Sequence, residues 1–157
     1  MGCTFIFTAT SKGQIIKIQP DRPDQTESPN IIPTKSFQFE AGFVYEADKN
    51  NGANLKNISY PSVLLRYGML SNLELRLEVE NTKSDLETSG QTTSVNGIKP
   101  INLGLKVNVC EEDGLRPATG IIINLLLPNL ASKELKSNNL GSSINFAFEN
   151  SITDKLS

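Results

Sequence analysis

The sequence predicts an all-β protein: an antiparallel up-and-down transmembrane β-barrel, of which about six N-terminal strands are present. Several segments alternate strictly between apolar and polar residues, as in Leu73–Glu80 and Ile101–Val109. A period of two is the signature of a β-strand, because successive side chains point to opposite faces of the pleat. The linkers between these segments are alternately long and short, which is typical of barrels with long extracellular loops and short periplasmic turns.

Composition excludes several classes of function. The chain has 157 residues, enough for one domain, and no histidine, which removes histidine-based triads, metal sites and general bases. Its two cysteines, Cys3 and Cys110, stand far apart, and its net charge of −2 provides no basic stripe for nucleic acid. We therefore expect no catalytic activity, no metal, no cofactor and no nucleic-acid partner. No apolar run approaches the roughly 20 residues of a membrane-spanning helix, but alternating barrel strands do not produce such runs.

Two segments precede the predicted strands. Residues 1–18 hold a short apolar run followed by small and polar residues, and we interpret them as the remnant of a secretory leader; the alternative is an edge strand. Residues 19–35 contain four prolines, which disfavour a helix or a central strand and predict a periplasmic lead-in. The lead-in either fixes the entry angle of the first strand or acts as a plug or gate. The candidate plug residues are Arg22, Asp24 and Glu27.

Residues 36–157 are interpreted as the N-terminal part of the barrel. The predicted strands are 36–46, 58–69, 73–82, 98–110, 117–127 and 143–151. The long polar linkers are 47–57, 83–97 and 128–142, and the short ones are 70–72 and 111–116. One strand fits the alternation poorly, because Ile121–Leu127 is almost continuously apolar. In a barrel this strand requires an apolar patch in the lumen under a plug or loop, whereas in a soluble fold it would be the central strand.

Strand parity assigns the side chains to two faces. The apolar face would meet lipid, and its members are Phe37, Phe39, Phe43, Tyr45, Leu65, Tyr67, Met69, Leu73, Leu75, Leu77, Val79, Leu103, Leu105, Val107, Phe146 and Phe148. The other face would line the lumen, and its candidates for solute selection are Glu40, Arg66, Glu74, Arg76, Glu78, Lys106, Asn124 and Glu149. Charges of both signs allow Arg66 to meet Glu40 or Glu74. This face either selects solutes or carries a salt-bridge network that fills a narrow lumen.

The main alternative is a soluble or secreted lipocalin-like barrel that binds a hydrophobic ligand inside. Parity cannot distinguish the two folds, because exchanging inside for outside preserves the alternation. The unequal linkers and the leader-like start favour a membrane protein, with outer-membrane lipid as its partner.

Parts of the sequence resemble a known family. The segments Asp21–Pro29 (DRPDQTESP), Tyr60–Met69 and Asn102–Lys106 are similar to bacterial outer-membrane proteins grouped under the meta-pathway of phenol degradation, often labelled transporters. The likeness covers roughly residues 18–157. It implies a barrel in the outer membrane of a Gram-negative bacterium that passively passes small, aromatic or hydrophobic, molecules. Members continue into further strands, and a closed barrel needs about eight, so we expect this chain to be a fragment.

Overall fold

Seven β-strands form one antiparallel sheet in the computed structural model, which describes residues 20–21, 27–50 and 52–151. The predicted leader remnant, residues 1–18, lies outside the described residues, as do the plug candidates Arg22 and Asp24. The strands are β1 (Phe37–Asn50), β2 (Ala53–Leu70), β3 (Leu73–Thr88), β4 (Gln91–Ile98), β5 (Ile101–Cys110), β6 (Ala118–Leu127) and β7 (Gly141–Glu149). The all-β antiparallel prediction is confirmed, with one strand more than expected.

The sheet follows chain order except at β4. Its order is β1-β2-β3-β5-β6-β7, and β4 pairs with β3. The N-terminal part of β3 pairs with β5 and its C-terminal part with β4, so β4 and β5 follow one line that is interrupted at Lys99 and Pro100. Within the described residues, the sheet is open: β1 and β7 lie at its two ends, and β4 pairs on one side only.

Two predicted loops are wrong. Residues 47–57 and 83–97 belong almost entirely to the β1–β2 and β3–β4 hairpins, which continue beyond the central sheet. Their polar composition suggested loops, but antiparallel ladders are held by backbone hydrogen bonds and do not require apolar side chains. Tight turns close both hairpins, and Gly52 and Gly90 adopt φ values of 85° and 78° that suit glycine.

The predicted linker 128–142 does hold irregular structure. Two short 3-10 helices, Pro128–Leu130 and Lys133–Leu135, lie between β6 and β7. The linker is fastened to the neighbouring hairpin, because the backbone N–H of Ile98 donates to the Ser132 hydroxyl at 2.9 Å. No helix in the described part of the chain is long and apolar enough to cross a membrane.

One face of the sheet, called the outer face, exposes large apolar side chains. A row that crosses the sheet in register consists of Phe37, Tyr67, Leu75, Leu105, Ile123 and Ile144. Phe37 is 79% exposed and Phe39 65%, although both are among the most apolar residues of the chain. The Phe37 and Tyr67 rings lie 4.5 Å apart between centroids. The predicted separation of apolar and polar side chains onto two faces is therefore present.

The opposite, inner face buries polar and charged groups. The buried members of that kind are Asp21, Glu40, Ser59, Ser62, Arg66, Glu74, Arg76, Thr82 and Lys106. The buried aliphatic residues are fewer: Ile32, Leu64, Ala118, Ile122 and Ala147. Among the described residues, this distribution is the reverse of a soluble protein core, in which apolar side chains are inside and charges are rarely fully buried.

Candidate functional site: an ion-pair cluster beneath a proline-rich strap

The described part of the lead-in lies on the inner face of the sheet. We call residues 20–21 and 27–36 the strap. Asp21 is fully buried, Pro29 is almost fully buried, and Ile32 is 6% exposed. The strap therefore covers the inner face of the sheet.

Hydrogen bonds fix the strap at both sides of the sheet. Next to β1, the backbone N–H of Lys35 donates to the Gly68 carbonyl of β2 at 2.7 Å. At the far edge, the Asn30 side-chain amide donates to Glu149 Oε2 of β7 at 3.0 Å. Between them, the Asn108 amide of β5 donates to the strap at 3.4 Å. The strap thus crosses from β2 to β7 near the short turns that follow β2 and β5.

Two glycines of the sheet provide the space for the strap. A methyl group on Gly68 would collide with the carbonyl oxygen of Pro33, and one on Gly120 would lie 2.8 Å from the Pro29 Cα. A Cβ atom essentially never comes that close to backbone, so a side chain at either position would push the strap away. The sheet sequence therefore leaves room for the strap at these two positions.

Arg66 of β2 lies at the centre of the ion-pair cluster. Its Nε and NH2 atoms donate to the two carboxylate oxygens of Glu74 at 2.7 and 2.9 Å, a bidentate arrangement. Its NH1 atom donates to Glu40 Oε1 of β1 at 3.3 Å. Arg66 is 1% exposed, so both predicted partners contact a guanidinium that is out of water. Cross-strand pairing places Arg66 directly opposite Arg76, and these carboxylates offset that repulsion.

Asp21 joins the strap to this cluster. Its carboxylate accepts from Lys106 Nζ at 2.5 Å and from Arg76 NH1, and it lies 3.7 Å from Arg66 NH2. Its backbone N–H donates to Glu40 Oε2 at 2.9 Å, and its second carboxylate oxygen accepts from the Ser28 N–H at 2.9 Å. One strap carboxylate therefore meets all three buried cations of the inner face.

The charges around Asp21 set its ionisation. Burial by itself would raise the pKa of Asp21, but the positive charges of Lys106 and Arg76 outweigh this and hold the pKa below its ordinary value of 3.8. Asp21 is thus a carboxylate at neutral pH, and the ion pairs persist.

The sheet itself also holds the strap. Glu74 of β3, which is fully buried, accepts a hydrogen bond from the backbone N–H of Ile32 at 3.0 Å as well as the two from Arg66. Arg76 NH2 donates to the Asp21 carbonyl at 3.0 Å and lies 3.6 Å from Glu27 Oε1. Strap and cluster are consequently one unit, because removing either leaves buried polar groups without partners.

A polar cavity of about 450 Å³ adjoins the cluster. Its polar lining includes Glu27, Arg76, Glu78, Asn102, Asn124 and Asn145. The amide of Asn102 donates to Glu78 Oε2 at 3.1 Å, and that of Asn124 donates to the Ser143 hydroxyl at 3.3 Å. These contacts fix the amides on the wall, so the cavity presents ordered polar groups next to Arg76.

The predicted lumen candidates fall into two groups. Glu40, Arg66, Glu74, Arg76 and Lys106 come together in the cluster. The other three lie outside it: Glu78 and Asn124 line the cavity, and Glu149 contacts the strap at the edge of the sheet. Of the plug candidates, Glu27 alone lies within the described residues.

Asp21 is the residue of the cluster that the sequence analysis missed. The described contacts join this strap carboxylate to the buried cations of the inner face. The sequence did hold a signal for Asp21. The predicted lumen face carries Arg66, Arg76 and Lys106, and a segment that covers three cations must supply a carboxylate to neutralise them. Within the almost continuously apolar segment Ile121–Leu127, Ile122 is fully buried on the inner face.

The cluster does not resemble a metal centre. Among the described residues, no three His, Cys, Asp or Glu side chains are grouped so as to hold a metal ion. The carboxylates of the cluster face arginine and lysine instead.

Comparison with known proteins places the chain in a family. A search of curated proteins and a search of solved structures found no match. A family model does match, over residues 20–153, which include the strap and all seven strands. The match covers most of the chain and agrees with the resemblance found in the sequence. The chain belongs to the family described as "Putative MetA-pathway of phenol degradation".

Proposed function

We propose that this sheet is a section of the wall of an outer-membrane β-barrel that passively passes small molecules. The outer face would contact lipid, the inner face would line the lumen, and the strap would lie inside as a plug. The proposal rests on one observation: large apolar side chains are exposed on the outer face, while charged groups are buried on the inner face.

The size of the apolar surface supports this proposal. On β1 the outward apolar side chains extend over nine residues, from Phe37 to Tyr45, and on β5 over nine, from Ile101 to Val109. A transmembrane strand needs about 9–11 residues. The apolar band that these outer-face side chains form is therefore tall enough for the apolar part of a bilayer.

The shape and the apolar lining of the outer face also suit contact with lipid. A shallow groove of about 660 Å³ runs over β2, β3, β5 and β6, with apolar walls that include Leu65, Leu77, Leu103 and Leu125. Arg66 and Arg76 also border this groove, but their guanidinium groups are directed to carboxylates of the cluster, so the groove offers an acyl chain an apolar surface. Charges near the bilayer midplane would destabilise a barrel by roughly 2–4 kcal/mol each.

The lipocalin-like alternative is less consistent with these observations. A lipocalin encloses its apolar face around a ligand and turns polar side chains to water. Here the strap covers the polar face instead, through contacts such as Asp21–Lys106.

Closure of the barrel is part of the proposal. The described sheet has open edges at β1 and β7, and lipid leaves no water to satisfy their backbone groups. We propose that further strands pair with these edges in the membrane. We propose passage rather than chemistry, because the described carboxylates of the cluster are engaged in ion pairs.

The test is expression from the natural gene in a Gram-negative host, followed by membrane fractionation. The outer-membrane fraction is run on SDS gels with and without boiling. Recovery in that fraction, with a faster band before boiling, is expected for a closed barrel, and planar-bilayer conductance would then measure passage. Recovery as a detergent-free soluble protein would contradict the proposal and favour the lipocalin-like binder.

A further inference from the structure

We propose that the three buried cations of the inner face form a binding site for the carboxylate of a small organic acid, which Asp21 occupies until a solute displaces it. As the route of a passing solute, this site rests on the proposed function. As a binding site, it rests only on the geometry of Arg66, Arg76 and Lys106.

The charge balance of the cluster is the first argument. The sheet contributes three buried cations, Arg66, Arg76 and Lys106, but only two buried carboxylates, Glu40 and Glu74. Asp21 of the strap brings the third carboxylate and makes the group of six neutral. Without the strap, the group keeps one excess positive charge in a buried position, where an unpaired charge is costly.

Without the strap, the excess positive charge would lie on Lys106. It is fully buried, and among the described residues Asp21 is the only carboxylate within 4.0 Å of its Nζ. Glu74 pairs with Lys106 in the strand register, but its oxygens are directed to Arg66. The sheet therefore does not neutralise Lys106, and any state in which the strap leaves requires another anion there.

The contacts of Asp21 show how the three cations hold a carboxylate. One carboxylate oxygen of Asp21 accepts from Lys106 at 2.5 Å and from Arg76, while Arg66 NH2 lies 3.7 Å away. The second oxygen accepts from the N–H of Ser28. The three cations thus converge on one carboxylate oxygen, and their N–H groups provide the charge-assisted hydrogen bonds that the carboxylate of a solute would accept in place of Asp21.

The neighbouring cavity provides room for the rest of the solute. It reaches Arg76 and has a volume of about 450 Å³, within the usual range of small-molecule sites. Its walls carry the amides of Asn102, Asn124 and Asn145. A small acid could thus place its carboxylate on Arg76 and Lys106 with its body in the cavity. Glu27 and Glu78 on the wall would disfavour solutes that carry several negative charges.

Asp21→Ala in the full chain tests the site directly. The purified variant is heated in detergent with increasing sodium acetate, sodium benzoate or sodium chloride at constant ionic strength, and unfolding is followed on unboiled gels. Acetate and benzoate should stabilise the variant saturably, with apparent affinities at least tenfold higher than that of chloride. The double variant Asp21→Ala/Lys106→Met should lose this response. Equal effects of the three salts, or a response that survives in the double variant, would overturn the proposal.

The unaltered protein supplies a second measurement if Asp21→Ala does not fold. Amide hydrogen exchange is measured for Ser28 and Ile32, whose N–H groups bond to the cluster, with benzoate or with chloride. Benzoate should accelerate exchange at both amides at least threefold, because it competes with Asp21. Unchanged exchange would contradict displacement. The exchange assay requires neither a membrane nor a heat-modifiable barrel, so it can support or contradict the carboxylate site whether or not the barrel proposal holds.

Discussion

Phe37 on the outer face is 79% exposed, whereas Arg66 on the inner face is 1% exposed, although Phe37 pairs with the residue that follows Arg66. The outer face has no cover among the described residues of the chain. The inner face is covered by the strap, which carries the carboxylate that its cations require. The two faces therefore differ in what covers them: the apolar face is uncovered, and the charged face is filled by the strap. In the proposed barrel, the first would contact lipid and the second would line the lumen.

The largest effect is expected when the inner face loses a carboxylate. Glu74→Gln removes the bidentate partner of the buried Arg66, and breaking a buried ion pair costs about 3–5 kcal/mol. Urea unfolding in lipid vesicles should show a loss of this size. Glu87→Gln, on the protruding part of the same strand, is the matched control, because its bond to Asn54 is long and exposed. Similar small losses in both variants would show that the cluster does not stabilise the fold.

The next effect comes from placing a charge on the outer face. Leu75→Arg is expected to destabilise the membrane-inserted state by roughly 2–4 kcal/mol, because the guanidinium would enter the apolar band. The measured quantity is the yield of heat-modifiable protein in the outer membrane. Leu86→Arg is the control on the same strand, since Leu86 is exposed in the protruding hairpin, beyond the band. Equal yields of the two variants would remove the assignment of the outer face.

A smaller effect is expected where the strap meets the sheet. Gly68→Ala should detach the strap, because the added methyl group collides with the Pro33 carbonyl. Hydrogen exchange at the Ile32 amide should accelerate at least tenfold, while β3 and β5 stay protected. Gly90→Ala strains the β3–β4 turn, because Gly90 has a φ of 78°, but the methyl group contacts nothing there, so the Ile32 amide should stay protected. Protection that survives in Gly68→Ala would mean that the strap is not seated on this glycine.

Acid should loosen the strap only at pH values below the usual pKa range of carboxyl groups. The pKa of Asp21 is lowered in the folded state, so its stabilising contribution is complete above its unfolded value of 3.8 and is lost as the pH falls through the lowered pKa. The charged groups that face it are Glu27 of the strap, Glu40, Arg66, Glu74, Arg76 and Lys106. Exchange of the Ser28 amide, corrected for its intrinsic pH dependence, should stay slow at pH 7 and 5. Asp21→Asn should show fast exchange at every pH, and loosening already at pH 5 in the unaltered protein would contradict the assignment.

The smallest effect is expected in the protruding hairpins. Ser94→Ala removes the bond from the Ser94 hydroxyl to Asp85, 2.6 Å long and exposed to solvent. Exposed surface substitutions are usually within about 0.5 kcal/mol, so urea unfolding should barely change. A loss comparable to that of Glu74→Gln would mean that the hairpin is part of the folded core.

The sequence predicted the local pattern of the sheet better than its long-range partners. Strict alternation in Leu73–Glu80 identified both the strand and the two faces, because parity is a local property. The polar hairpin extensions were missed, since residues such as Ser84 and Thr93 pair through backbone groups that composition does not reveal. Asp21 was missed for a related reason: its partners lie up to 85 residues away in the sequence.

The glycines show a further limit of sequence reasoning. Gly68 and Gly120 lie within strands, where a glycine without context indicates only weaker strand propensity. Their role is visible only when Pro33 and Pro29 are seen above them. The space that a glycine leaves for another segment produces no local sequence pattern, because the two segments in contact are distant in sequence.

The most direct test of the central claim uses the absence of tryptophan from the chain. Single tryptophans are placed along β5 at Leu103 and Leu105, which should face lipid, and at Asn102 as the inner control. Each variant is inserted into vesicles whose acyl chains carry bromine, which quenches tryptophan fluorescence on contact. We predict strong quenching at Leu103 and Leu105 and weak quenching at Asn102. Equal quenching at all three positions, or strongest quenching at Asn102, would contradict an outer face in lipid and an inner face in the lumen.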